Sequence, residues 1–255
     1  MDFSELTHQN EIRDSLNKIL KKHCSVENLK EFDDGFKHDK TLLSILATNG
    51  YLGLGIHDEY GGSGEDLYEL GILFERLGFY AAPLSLTGCL VDVAQIIQKF
   101  GQTDHRKSIL SSIIEGEIYT SAILEPFNQD TENPITKADI NGDILIINGT
   151  KYLSELASKA KSILVSASSN EGVLLVLIDS SKVKLSPLSS TANSPIFKVE
   201  INDISINRSS IIHDQGRGLE ALRYLIQINM VMRSYLALGV TEKMTSLIAA
   251  YTSER

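Results

Sequence analysis

Cysteine is scarce in this chain: Cys24 and Cys89 are its only two, and they lie far apart in sequence. That excludes a disulfide framework and a cysteine metal-ligand spacing, and leaves each as a partly buried thiol. Cations are in deficit, with 24 Lys and Arg against 33 Asp and Glu and a net charge of −9. A main role on nucleic acid is therefore not expected, because phosphate neutralisation needs a basic surplus. No run reaches the ~18 apolar residues of a membrane span. The N-terminus, MDFSELTHQNEIRDSL, lacks the apolar core of a signal peptide, so a soluble, cytoplasmic chain is expected. His8, His23, His38, His57, His105 and His213 show no i, i+4 pairing that would put two metal ligands on one helix face. No metal is expected, and each reads as a surface or loop histidine.

What remains is an ordinary globular composition, 42% hydrophobic and 22% charged, in 255 residues. That is enough for one large or two modest domains. Up to residue 117 the apolar period is helical. Leu6, Ile12, Leu16, Ile19 and Leu20 share one face of a helix from Ser4 to His23, with Ser4 and Thr7 available as capping hydroxyls. A second helix over 40–49 stops at Gly50. The glycines of GYLGLGIHDEYGGSG suggest a phosphate loop only superficially, because Glu65 and Asp66 stand where an anion would sit. A tight turn with Ser63 or Asp66 as N-cap fits better, followed by a helix burying Leu67, Leu70, Leu73, Phe74 and Leu77. The pairs Asp33-Asp34 and Glu65-Asp66 read as capping or solvated groups. LSLTGCLVDVAQIIQKFG is apolar almost all round, which predicts a helix buried on several sides and closed by Gly101. Thr103 to Ile114 forms one more helix, ending at Gly116.

The period then changes. Ile118–Ile123, Ile144–Ile147 with a turn at Asn148-Gly149, Ile163–Ala167, Val173–Ile178 after a Glu171-Gly172 turn, and FKVEINDISI with a hairpin at Asn202-Asp203 read as short strands without intervening helices. The fold class expected is α+β: an all-helical N-terminal domain over 1–117, an antiparallel β middle domain over 118–215, and the start of a C-terminal helical bundle over 216–255. In the last segment Leu219, Leu222, Leu225, Ile226, Tyr235, Leu236, Leu238, Leu247, Ile248 and Tyr251 form a stripe that needs covering. It predicts self-association or pairing.

The order of these blocks carries a resemblance. A helical region with GLGIHDEYGGSG and FERLG, a Glu125-Pro126 step after a strand, INGTKY, and the Gly216/Gly218 turn before a long helix together resemble the acyl-CoA dehydrogenase family nearly end to end. The resemblance implies FAD between the β domain and the bundle, with an acyl-CoA thioester against the flavin. It implies removal of an α proton by a carboxylate and of a β hydrogen as hydride, in fatty acid metabolism, with an electron acceptor protein as a possible partner. It places cofactor contacts at Ile123, Leu124, Asp130, Leu153, Ser154 and Glu155, and substrate contacts at Asn229, Met230 and Arg233.

The chain departs from the family pattern at several of these positions. Leu124 and Asp130 stand where T-E-P-x-A-G-S-D has hydroxyls, and Leu153 and Glu155 where K-x-W-I-T-N-G has its Trp and Thr. The resemblance places the base late in the C-terminal bundle in most members, a region not found in this sequence, and Asn229 falls where a minority carry it, so no catalytic base is assigned. A flavin-dependent acyl-CoA dehydrogenase-like protein is the first expectation. A catalytically silent partner that completes a homo- or hetero-oligomer with an active subunit is the second.

Overall fold

The computed structural model describes residues 5–32, 38–64, 66–190 and 194–254. Ser4, Asp33-Asp34 and Glu65, named above, lie outside the described residues. The helical region comprises α1 (Thr7–His23), α2 (Val26–Lys30), α3 (Lys40–Thr48), α4 (Leu67–Phe79), α5 (Ala94–Phe100) and α6 (Thr103–Ile114). A π turn, Thr87–Val93, runs directly into α5. Every residue from Thr87 to Ile97 is buried, as the all-round apolar pattern predicts. α4 is the central helix, buried from Glu69 to Gly78. Its predicted caps are not used: the Asp66 side chain makes no capping bond, and the Ser63 hydroxyl donates to the Gly53 carbonyl. In the glycine-rich turn before it, Gly62 sits against Ile56, whose carbonyl oxygen would lie 2.0 Å from any Cβ there.

The strands are β1 (Tyr119–Ala122), β2 (Lys137–Asn141), β3 (Ile144–Glu155), β4 (Ser162–Ser169), β5 (Gly172–Asp179), β6 (Lys184–Leu188) and β7 (Ile196–Asn207). They form one seven-stranded sheet in the order β1-β4-β2-β3-β7-β6, with β5 paired to β4. The sheet is mixed, which corrects the antiparallel expectation: β1 runs parallel to β4, and β2 joins β4 in parallel at Lys137 and Ser168. Alternation along a strand reports its faces, not the direction of its neighbour. The β1 to β4 crossover contains the β2–β3 hairpin instead of a helix, so no helical signal marked it. β4 and β5 are covered on both faces: Leu164 and Leu175 join the helical core, while Ile163, Val165, Val176 and Ile178 join the sheet's own core.

Neither predicted turn at Asn148-Gly149 nor that at Asn202-Asp203 exists. β3 and β7 run through, and the two turn-like pairs oppose each other at a register shift after Ile147. Asp203 adopts a φ of 49° there. The Asn148 side-chain amide donates to Asp203 Oδ1 at 2.9 Å, and the Asp203 amide returns a bond to Asn148 Oδ1 at 2.7 Å. Turn chemistry in both strands was thus a bulge lock.

The chain ends in α7 (Gly218–Ser253), which packs along α4 at glycines. A Cβ on Gly78 would lie 2.1 Å from the Leu236 carbonyl oxygen, and one on Gly239 would lie 1.8 Å from that of Glu75. Arg13 of α1 holds Glu75, and Arg76 bonds both Glu75 and Glu242, tying three helices together. No helix among the described residues is long and apolar enough to cross a membrane.

Candidate functional site

Around the Glu-Pro step, the chain folds about one buried ion pair. Lys151 on β3 is fully buried and its Nζ lies 2.8 Å from Glu125 Oε1. It also donates to Ser166 Oγ at 3.0 Å. The Glu125 carboxylate further accepts from the amides of Ile135 at 2.6 Å and Thr136 at 2.7 Å and from Asn128 Nδ2 at 2.8 Å, so the loop between β1 and β2 wraps around it. Both groups are charged at neutral pH. Burial pushes Glu125 upward, but Lys151 and the N–H donors outweigh it and hold the carboxyl at about 2. Burial lowers Lys151 to about 8 against the attraction of Glu125. Glu125 and Lys151 are therefore scaffold, and the residues beside them in sequence form the walls of a cleft.

That cleft, about 420 Å³, opens between the sheet and α7. Ile123, Leu124, Leu153 and Ile196 line one side; Leu225, Ile226 and Met230 line the other. The Tyr152 amide donates to the Leu124 carbonyl at 2.8 Å, which fastens β3 against the residue before the Glu-Pro step. Between Lys151 and Ser154 the β3–β7 register slips, and the extra residue, Leu153, takes a φ of 57° and stands half exposed at the cleft. Leu124 and Met230 are likewise exposed there.

Most of the residues singled out by sequence converge here. Ile123, Leu124, Leu153, Glu155, Asn229, Met230 and Arg233 all line the cleft. Two do not. Asp130 is exposed on the preceding loop, where its carboxylate accepts from the Glu132 amide and from Asn133 Nδ2. Ser154 is buried, and its hydroxyl is committed to the Ser121 carbonyl at 2.8 Å.

At the cleft's inner end is a polar cluster that sequence reading missed. Asp92, from the π turn, is buried yet lines the cleft. Ser121 Oγ donates to its Oδ2 at 2.5 Å, and Asn229 Nδ2 donates to its Oδ1 at 2.6 Å. Arg233 Nε donates to Asn229 Oδ1 at 2.8 Å, and its Nη2 donates to Glu155 Oε1 at 2.9 Å. Burial raises the Asp92 carboxyl to about 6, against the pull of the Ser121 and Asn229 donors and of Arg233. The one available signal was a lone acid inside an otherwise apolar helix. The π turn sits directly on β1: a Cβ on Gly88 would lie 2.6 Å from Thr120 Oγ1.

Residues 7–117 match the family model for the acyl-CoA dehydrogenase N-terminal domain. Probable acyl-CoA dehydrogenase YngJ of Bacillus subtilis is 23% identical over all of this chain and 71% of its own length. Acyl-CoA dehydrogenase FadE12 of Mycobacterium tuberculosis is 27% identical over 82% of this chain and 58% of its own. In structure, the ChsE4-ChsE5 complex from Mycobacterium tuberculosis superposes with a TM-score of 0.92 at 21% identity, over 100% of this chain and 69% of that one. Residues 7–117 thus carry an acyl-CoA dehydrogenase N-terminal domain, and along its whole length the chain is similar to acyl-CoA dehydrogenases. It spans 58–71% of the length of those two curated relatives.

The chain shares its fold with these relatives, while the cleft's side chains depart from the motifs set out above. The buried Glu125–Lys151 pair holds the walls in place, yet Leu124 and Leu153 offer no side-chain hydrogen bond. Cys24 and Cys89 are buried thiols, raised by burial to about 11 and 12, and neither is placed for reaction. Among the described residues no cluster of His, Cys, Asp and Glu could hold a metal. His213 is a correction to the surface reading: it is buried, its Nε2 accepting from the Leu175 amide at 3.1 Å. Its role is to satisfy backbone where α7 begins. The predicted stripe on α7 divides, with Leu222 and Leu225 covered and Leu238, Leu247, Ile248 and Tyr251 exposed.

Proposed function

We propose that this chain acts as a flavin-dependent acyl-CoA dehydrogenase-like protein, removing hydrogen across the α,β bond of an acyl-CoA thioester with FAD as hydride acceptor. The observation that carries the reading is the cleft itself. Its half-exposed aliphatic walls, Leu124 and Leu153 on the sheet side and Met230 on α7, suit a flat ring system that would cover them. By this fit Ile123, Leu124, Leu153 and Glu155 would hold the flavin, and Asn229, Met230 and Arg233 the acyl thioester. The flavin would supply the hydride acceptor; the chain supplies apolar walls that exclude water and polar groups at the cleft's inner end. The test is reduction of an artificial electron acceptor by a panel of acyl-CoAs with added FAD. Substrate-dependent reduction supports the reading. None with any member of the panel, from folded protein that holds FAD, contradicts it.

A second reading is favoured by the same departures and by the exposed apolar side of α7. Without side-chain donors at Leu124 and Leu153, the chain could serve as a silent subunit whose partner covers Leu238, Met244, Leu247 and Ile248. The ChsE4-ChsE5 neighbour is itself a complex of two named components. Sedimentation separates association from its absence: replacing Leu247 and Ile248 together by serine is expected to shift an oligomer toward the monomer. An unchanged sedimentation coefficient would show that this face is not the interface.

A further inference from the structure

A carboxyl group that is buried, faces a cleft and has no cation bonded to it is costly to keep. Asp92 is such a group. Among the described residues its two bonded partners, Ser121 Oγ and Asn229 Nδ2, are both neutral donors, one on each oxygen. A carboxylate has about four acceptor positions. Each oxygen thus keeps a free lone pair, on a residue that lines the cleft. Among the described residues the charged groups that face it are Arg233 of α7, which donates through Nε to Asn229 and through Nη2 to Glu155 and favours ionisation from a distance, and Glu155 of β3, which opposes it. From β1 the bonded neighbour is the neutral Ser121. The π turn that presents Asp92 is a rare helical form, and such turns often occur at functional sites.

We propose that Asp92 is the proton acceptor of this cleft, taking a proton from the carbon next to the carbonyl of a bound thioester. The inference rests on the acyl-CoA reading above. In the step, the α C–H bond breaks, an O–H bond forms on an Asp92 oxygen, and the electron pair passes onto the thioester carbonyl as an enolate. Return of the proton restores the starting thioester, so the half-step needs no oxidant. Ser121 and Asn229 hold the carboxyl plane in place and stabilise its ionised form. A carboxyl titrating near 6 is ionised at neutral pH and still basic enough to accept a proton, the compromise general-base catalysis requires. Asn229 is then a positioning residue, which holds the Asp92 carboxylate through its Nδ2.

The step is testable without turnover. The full chain, with FAD added, is incubated in D₂O with butanoyl-, octanoyl- or 3-phenylpropanoyl-CoA, and loss of the α-proton signal is followed by NMR. Binding of the same thioesters is measured in parallel by calorimetry, and folding by circular dichroism. The expected result is that wild type exchanges with a rate that rises through pH ~6, whereas D92N binds but exchanges roughly 10²–10⁴-fold more slowly without that limb. D92E should recover part of the exchange with a displaced limb. Exchange by D92N at the wild-type rate, with binding kept, would overturn the proposal and leave the acyl-CoA reading intact. Loss of binding in D92N, restored in D92E without exchange in either, would make Asp92 a recognition contact and also overturn it. If wild type binds none of the thioesters, the acyl-CoA reading itself fails and the proposal falls with it.

Discussion

Replacement of Lys151 by methionine is expected to destabilise the chain by about 3–5 kcal/mol, because it leaves the Glu125 carboxylate buried without its cation. The expectation rests on geometry as much as on charge. Lys151 is fully buried and bridges β3, the Glu125 loop and Ser166 of β4, so its loss unties three segments at once. The double variant E125Q/K151M should recover a large part of the loss, since neither partner is then an uncompensated charge. Urea denaturation of the two variants beside wild type decides it. Equal destabilisation by single and double variants would show that the pair's charge is not what matters. The pH dependence gives an independent check. Glu125 is held at about 2 in the fold against an ordinary 4.5, so its contribution is complete above the ordinary value and is lost as pH falls toward 2. E125Q/K151M should lack that part of the acid limb.

The second large effect is expected at the α4–α7 crossing. Gly239→Val would drive a side chain into the Glu75 carbonyl, where even a Cβ finds only 1.8 Å. Backbone cannot swing aside as a flexible side chain does, so the helices must separate. We expect a loss of about 2–4 kcal/mol net of any propensity gain, at the upper end of overpacking penalties. Because α7 brings Asn229, Met230 and Arg233 to the cleft, ligand binding should weaken along with stability. Ser246→Ala, exposed on the same helix, is the control and should change stability by less than about 0.5 kcal/mol. Thermal melts of both variants suffice. A Gly239→Val melt matching wild type would mean that the helices do not approach this closely.

Much of this architecture was legible in the residues, and the failures have specific causes. The helices over 7–23, 40–48, 67–79 and 103–114 follow from apolar spacing, and Gly50 and Gly116 end their helices at positive φ, as C-terminal glycines do. The β4–β5 hairpin followed from Glu171-Gly172. Strand direction did not follow, since β1 and β4 meet in parallel only through a long crossover. Asn148 and Asp203 misled because turn-forming residues also build bulges, and only the partner strand distinguishes them. In the site, Leu124, Leu153 and Arg233 were found by motif position, and the structure brings them to one cleft. Asp130 and Ser154 shared that motif position, yet local hydrogen bonds claim their side chains. Asp92 belonged to no motif, and its partners Ser121 and Asn229 come from β1 and α7, so only folding assembles the cluster.

On the proposed reading, the cleft between the sheet and α7 would hold a flavin. The measurement that tests it most directly is the visible absorbance spectrum of the purified chain after addition of FAD and passage through a desalting column. Wild type is expected to retain a flavin band, and Leu153→Asp, which sets a charge on the cleft wall, to retain a weaker one. No retained band, from protein that circular dichroism shows to be folded, would contradict it.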